Sequence, residues 1–464
     1  MSNPTISTDR SEAFVQSMTQ RMAPVARSLA ASVQAEPRPL QELEAQVVRV
    51  LHDLGNALLT ALLPLAAPAQ PVPDVPCSCG HLARYHRQRP ASVSTLLGRV
   101  TLTRALYHCT ACDQHHAPLD TQLQIAAGGL SAGLNEVLAL LGATQDSFAQ
   151  ATDVLERLCL VQLCPNSARA ATEDRGHVLV SHAEQVVATA QQSHTPPEAA
   201  CPAPPRVYLS MDGVLAHIHE AGFKERKTGC VYTTRTRVPR KRPDTVEIRA
   251  EQQRYLAALT DAEHFGWQLW AEACRCGVEP STEVVVVADG AHWIWNVAET
   301  HFPQATQILD WYHASEYVWN AATALFGEAS EKRKAWAKLQ LDALWDGKVD
   351  EVLEGLEPYG SKGEGVTDAV SYYRTHRARM DYPAYRARGL QIGSGTIESA
   401  CKQLVSARLK LAGMIWDTEG AEAVAVVRAW LKSERWDEAM RLRPPPRRTY
   451  RQQAAAPEAL AAAA

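Results

Sequence analysis

The chain has 464 residues, 46% of them hydrophobic and 21% charged, with a formal net charge of −4. That length and apolar content suit a globular protein of roughly three domains, and the slight acidity excludes a uniformly basic surface, so a polyanionic partner must be met by local basic patches. Eleven cysteines, an odd number on a long chain with no leader-like start, do not form a disulfide pattern and point to a reducing cytoplasmic setting in which paired cysteines hold metal.

Residues 1–70 read as a helical region, with apolar spacing at Leu43, Val47, Val50, Leu51 and Leu54. Its longest apolar stretch, Ala57 to Ala67, is broken by Thr60 and Pro64 and falls short of the ~20 residues a bilayer span needs, so no membrane partner is expected. The run Pro71-Val-Pro-Asp-Val-Pro76 then predicts a stiff linker. Over 77–120, Cys77-x-Cys79 and Cys109-x-x-Cys112 bracket a hairpin predicted from Ser92–Leu97, a turn at Gly98-Arg99 and Val100–Leu106. Two thiolate pairs around a hairpin are the arrangement of a zinc ribbon, in which structural Zn²⁺ substitutes for a small core. The first knuckle has one spacer residue instead of two; His81, His115 and His116 are alternative ligands, and unbound reduced thiols are the other reading.

Residues 130–190 change to a helical period in three patches joined by short turns, which fits a helix-turn-helix with Arg169 and Arg175 on its recognition helix. A Pro- and Ala-rich linker is expected over 191–205. From 206 the pattern becomes α/β. Strands are expected at Arg206–Met211, Gly229–Thr234, Glu283–Ala288 and Thr306–Leu309, with helices at His292–Glu299 and from Ala314. Residues 320–388 read as a helical insertion dividing this core into 206–319 and 389–435, and 444–464 as a disordered tail.

Three acids stand out. Asp212 and Asp289 each end a β-branched run and precede glycine, and Glu398 lies just inside a helix after a Gly-Ser-Gly turn. Carboxylates gathered in one place repel unless cations lie between them, and hard oxygen donors favour Mg²⁺ or Mn²⁺. Taken singly, each Asp-Gly is an ordinary turn and Glu398 an ordinary helix-start residue. Asp310-Trp-Tyr-His313 serves either beside this site or only as a helix cap. The run Arg235, Arg237, Arg240, Lys241 and Arg242 is a candidate phosphate-binding loop or merely solvated surface.

The ordered set Met211-Asp212-Gly213, Ala288-Asp289-Gly290-Ala-His-Trp-Ile294, Asp310-Trp-Tyr-His313, Ile392-Gly-Ser-Gly-Thr-Ile-Glu398, and Arg408-Leu-Lys410 with Gly413-Met-Ile-Trp416 resembles the DDE transposases of bacterial insertion sequences, within the Mutator-like branch the ISKra type. The cysteine motifs extend the resemblance over most of residues 77–432. It implies an α/β catalytic domain of ribonuclease-H-like fold with a helical insertion, and a cytoplasmic, nucleoid-associated enzyme that assembles as a homo-oligomer on DNA. It implies two divalent ions roughly 3.5 to 4 Å apart held by Asp212, Asp289 and Glu398, which cut transposon ends and join the freed 3′-hydroxyl to target DNA. On the same basis His313 would position the scissile phosphate, Asp310 would support the site, and Lys402, Arg408 and Lys410 would face DNA. A nuclease that does not join strands, or an inactive DNA-binding regulator, are the alternatives.

Overall fold

The computed structural model describes residues 8–443 except 36–37, 68–69, 127, 220, 239–245 and 361–362. The expected tail at 444–464 and the basic residues Arg240, Lys241 and Arg242 therefore lie outside the described residues. The protein is a mixed α/β chain with two compact units that divide between Thr172 and Glu173.

The first unit begins with α1 (Thr8–Ala35) and α2 (Leu40–Ala66). Helix α2 is longer than the apolar stretch at 57–67 suggested, and among the described residues it is the one helix long and apolar enough to cross a membrane. One face of its C-terminal half is used within the unit: Leu59 and Leu63 pack against Val93, Val100 and Leu102. Asn56 Nδ2 donates to the Leu97 carbonyl at 2.7 Å, pinning the helix to the hairpin turn. A four-stranded antiparallel sheet follows in the order β1 (Asp74–Pro76), β2 (Leu82–Thr95), β3 (Gly98–Cys109), β4 (Gln114–His116). The β2–β3 hairpin turns at Leu96-Leu97, and Gly98 takes up the positive φ of 90° that closes it. Its strands are longer than the alternating segments predicted because Tyr85 to Pro90 are exposed. With no buried face there, pairing to β3 extends the strand where side-chain alternation carries no signal.

After α3 (Pro118–Gln122) come α4 (Ala132–Thr144), α5 (Phe148–Cys159) and α6 (Pro165–Ser193). Ser131 and Ser147 cap α4 and α5 by accepting from Leu134 N and Gln150 N. Leu134, Leu138, Leu155, Val161 and Ala168 form their common core. The expected third helical patch is the start of α6, whose 29 residues run on to Ser193. The division into units thus falls inside α6, not at the expected linker over 191–205.

The second unit is built on a five-stranded sheet in the order β7 (Glu247–Ala258), β6 (Gly222–Arg237), β5 (Arg206–Ile218), β8 (Glu283–Ala288), β9 (Thr306–Leu309). Strands β5, β8 and β9 are mutually parallel and β6 is antiparallel to both its neighbours. Val285, Val286 and Val287 of β8 and the run Val207–Met211 of β5 are the buried centre, as expected of strands covered on both faces. Strand β7 and helix α7 (Ala262–Arg275) escaped the sequence reading. β7 carries Glu, Arg and Gln over 247–254 and is largely unburied there, so it lacks the apolar alternation that marks a strand. Helix α8 (His292–His301) and α9 (Trp311–Phe326) flank β9; α10 (Glu331–Trp345), α11 (Val349–Leu356), α12 (Glu364–His376) and α13 (Tyr382–Ala387) form the helical insertion. The chain then enters α14 (Gly395–Cys401), a π-helical turn over 402–406, α15 (Ala407–Leu409), α16 (Thr418–Lys432) and α17 (Trp436–Arg441).

Candidate metal centre and acidic site

The ribbon's cysteines meet. Cys77 lies 3.5 Å from Cys112 and 3.4 Å from Cys79, and Cys79 lies 3.6 Å from Cys109, sulfur to sulfur. Four sulfurs each ~2.3 Å from a tetrahedral ion sit about 3.8 Å apart, so this donor set fits Zn²⁺ with little movement. All four are free thiols, too far apart for disulfides. Ala83 and Tyr107 complete a core of four buried side chains with Cys77 and Cys109, too small to hold the knuckles by apolar burial. Of the alternative ligands, His116 Nε2 lies 3.1 Å from Cys77 Sγ and His81 Nδ1 3.5 Å from Cys79 Sγ.

The acidic site is assembled from three elements of the second unit. Asp212 does not sit at a strand tip as expected: β5 continues six residues further because β6 stays paired with it through Gly222, placing Asp212 opposite Thr228. Its parallel pairing with β8 ends at Leu209, so Asp212 emerges where the two strands part. Asp289 follows the last residue of β8, and Gly290 makes the turn with φ 108°, where any Cβ would come within 2.9 Å of Tyr372. Asp289 Oδ1 accepts from Ala291 N at 3.0 Å, which fixes the loop into α8.

Glu398 is brought in through Asp310. The Asp310 amide donates to the Ala288 carbonyl at 2.8 Å, tying it beside Asp289. Asp310 Oδ1 accepts from Ser394 N at 2.7 Å, and Trp311 N donates to the Ile392 carbonyl at 2.9 Å, so the Gly-Ser-Gly loop is stitched to the start of α9. Ser394 Oγ then donates to Glu398 Oε1 at 3.0 Å. One helical turn on, Cys401 Sγ donates to Asp212 Oδ2 at 3.3 Å, closing the ring of contacts between α14 and β5. Asp310, His313 and Glu398 bring one donor atom each to within 4.8 Å of one another.

Asp310 caps a helix and also holds the His313 ring. Its Oδ2 caps α9 by accepting from His313 N at 2.9 Å and also accepts from His313 Nδ1 at 2.7 Å. It is fully buried, with both carboxylate oxygens engaged by Ser394 and His313. That bond raises His313 to about 9, against the opposing effect of burial and with reinforcement from the charges of Asp310, Asp289 and Glu398. The imidazole is therefore cationic at neutral pH. Burial raises the Asp212 carboxyl above its usual range; the Cys401 hydrogen bond opposes this and the Asp289 charge adds to it. Desolvation and the like charge of Asp289 are the conditions at Asp212 that a hard divalent cation would relieve.

A profile of the UPF0236 family, described as an uncharacterised protein family, matches residues 35–439. The chain belongs to this family. Among curated proteins nothing matches it. The UPF0236 match spans the cysteine cluster and all three acids.

The expected nucleic-acid contacts of this UPF0236 chain fare unequally. Arg235 and Arg237 are exposed, with Arg235 3.6 Å from Glu251, but they lie at the wrong end of the sheet. β6 runs antiparallel to β5, so the seven residues from Thr228 to Arg235 lead away from Asp212 by about 23 Å along the strand. Arg408 is 1% exposed, with its guanidinium 4.9 Å from the Trp416 ring centre, and is an interior packing residue instead of a surface contact. Lys402 and Lys410 are exposed and follow the Glu398 helix in the chain. Arg175 donates to the Ala439 and Leu442 carbonyls at 2.9 and 3.0 Å, which engages it in the fold; Arg169 is exposed.

The sequence reading missed Tyr372, Ser394 and Cys401. Tyr372 Oη donates to the Asp289 carbonyl at 2.5 Å and stacks on Tyr317 with ring centres 3.8 Å apart, so the helical insertion braces the acid turn. His376, beside Tyr372, is driven down to about 4 by burial and by Arg379, and stays neutral. Nothing in local spacing marks these side chains; their signal is a tertiary contact. Lys227, opposite Gly213 on β6, pairs with Glu225 at 2.9 Å and lies 4.8 Å from the Trp293 ring centre.

Proposed function

We propose that this protein is a DNA transposase: it binds transposon ends and performs metal-dependent strand cleavage and transfer on a ribonuclease-H-like catalytic unit. The observation that carries the reading is the chain of hydrogen bonds tying the three acid-bearing elements together: Cys401 of α14 to Asp212 of β5, and Asp310, held beside the end of β8, to Ser394 and through it to Glu398. Further support comes from the sheet order β7-β6-β5-β8-β9 with β6 alone running against the other four strands, the arrangement expected of that fold.

The three carboxylates would hold Mg²⁺ or Mn²⁺, which supplies activation of the attacking oxygen and stabilisation of the leaving one. His313, cationic and with Nδ1 committed to Asp310, keeps Nε2–H as the donor for a phosphate oxygen. Lys402 and Lys410 add positive charge for the flanking backbone, where sequence-independent affinity resides. Helices α4 to α6 and the ribbon would bind the ends, the ribbon's thiolates holding structural Zn²⁺. Assembly as a homo-oligomer on DNA in the cytoplasm belongs to the same reading.

The test is incubation of the full chain and Mn²⁺ or Mg²⁺ with labelled duplexes taken from DNA flanking the gene. Cleavage at an inverted-repeat boundary followed by joining to a second duplex is the expected result. Cleavage without joining makes the protein a nuclease, and binding without cleavage makes it a regulator.

A further inference from the structure

The ribbon carries a second group of metal-binding side chains on the face opposite its cysteines. His108 and His115 are direct cross-strand partners on β3 and β4. Because successive strand residues point to opposite faces, His108 is turned away from Tyr107 and Cys109, and His115 away from His116, which approaches Cys77. The third histidine arrives through an irregularity. The β2–β3 register shifts between Tyr85 and Arg87, so His86 is the extra residue of a β-bulge, a device that re-aims a side chain. The ring centres of His108 and His115 are 4.8 Å apart, those of His86 and His115 6.1 Å, and those of His86 and His108 6.5 Å.

Two imidazoles bound to one tetrahedral ion at ~2.05 Å have ring centres about 5 Å apart. The His108–His115 pair already matches that separation, and His86 has to close by little more than an ångström through side-chain rotation. Behind them Asp113 Oδ1 lies 2.8 Å from His108 Nε2. A carboxylate on one ring nitrogen fixes the tautomer and leaves the other nitrogen with its lone pair outward, the usual support of a metal-binding histidine. Asp113 holds φ at 57°, a conformation in which glycine would be unstrained, so a side chain is kept there at some local cost.

We propose that His86, His108 and His115, with Asp113 supporting His108, form a second metal site on the ribbon, distinct from the four cysteines, for a borderline divalent transition ion such as Ni²⁺, Cu²⁺ or Zn²⁺. Imidazole donors suit these ions and not Mg²⁺ or Ca²⁺. Ligands on β2, β3 and β4 would let such an ion clamp three strands of the ribbon. The proposal is independent of the catalytic reading.

The experiment is calorimetric titration of the full chain, purified with its cysteine-bound zinc and free of affinity tags, with NiCl₂. One saturable equivalent beyond the zinc is expected, with affinity falling at least tenfold in His86→Ala and in His115→Ala while the zinc content stays at the wild-type value. In wild-type protein, Ni²⁺ should also shield His86, His108 and His115 from diethylpyrocarbonate while His194 and His219 react as before. No saturable equivalent overturns the proposal, as does unaltered binding in both variants. Should a variant lose its zinc, the labelling result on the wild-type chain decides: uniform reactivity with and without Ni²⁺ rejects the site.

Discussion

The cysteine cluster and the acidic site solve one physical problem at two ranges. Each gathers donor side chains whose charged forms would repel one another, one set soft and one hard. The cysteines lie within 36 residues and are brought together by a single hairpin, which needs almost no core. The acids span Asp212 to Glu398 and come together only because a parallel strand pair, a helix cap and a Gly-Ser-Gly loop are already in place. The local cluster needs only one hairpin to meet, whereas the acids need the fold of the whole second unit.

The largest expected effect breaks the long-range site without touching its scaffold. Asp212→Asn, Asp289→Asn and Glu398→Gln should each lower cleavage by at least about 10²-fold, with circular dichroism and end binding unchanged, since an amide cannot supply the charge a shared cation needs. A variant cutting at the wild-type rate removes its residue from the site. The ribbon should behave in the opposite way. Purified protein should hold about one zinc, and Cys109→Ser should lose it and unfold residues 74–116, because structural zinc contributes about 10–16 kcal/mol to such domains. Hydrogen exchange that leaves the ribbon protected in a zinc-free protein would show that the hairpin stands on its own.

A third test sharpens the boundary between the regions. The second half of α6 belongs to the second unit: Leu179 is fully buried, Gly176 sits where a Cβ would come within 2.4 Å of Ala423, and His264 Nε2 lies 2.8 Å from Glu184. A fragment starting at residue 206 should therefore melt several degrees below one starting at 173, since removing buried side chains costs about 2–5 kcal/mol each. Equal melting temperatures would return the boundary to the Pro-rich segment. Smaller still, Tyr372→Phe removes one hydrogen bond to the Asp289 carbonyl. It should cost about 1 kcal/mol of positioning, read as a several-fold fall in turnover with end affinity unchanged.

The last prediction concerns pH. Hydrogen bonds from Arg435, followed by opposing burial and then the charges of Arg435 and Arg275, hold Glu438 down to about 2. A depressed carboxyl stabilises the fold above its unfolded value near 4.5, and that contribution fades as pH falls towards 2. Glu438→Gln should thus lower the melting temperature at pH 7 by a few degrees, a modest amount because the carboxylate is partly solvated, and the difference should shrink below pH 4. A gap of undiminished size at pH 2 would show that packing, not charge, holds α17.

How much of this was legible can be argued from particular residues. The four cysteines were found by spacing alone because their partners are near in sequence and thiol pairs are rare enough to stand out. The β8 run and its terminal Asp289 were equally plain, a strand buried on both faces having no polar interruption. The long arm of β5 beyond Asp212 and the whole of β7 were not, because their polar residues become strands only by pairing with β6.

By itself, then, the sequence determined which side chains are available to bind metal and roughly where the helices and central strands lie, since those follow from local spacing and hydrophobic period. Only the tertiary structure decided which charges face the acids. Arg235 and Arg237 were carried to the far end of the sheet by the antiparallel sense of β6, and Arg408 was drawn inside against Trp416, while Tyr372 and Cys401 were brought up to Asp289 and Asp212 from 83 and 189 residues away. Strand direction and helix packing are set by burial of the whole unit, and no local spacing records them.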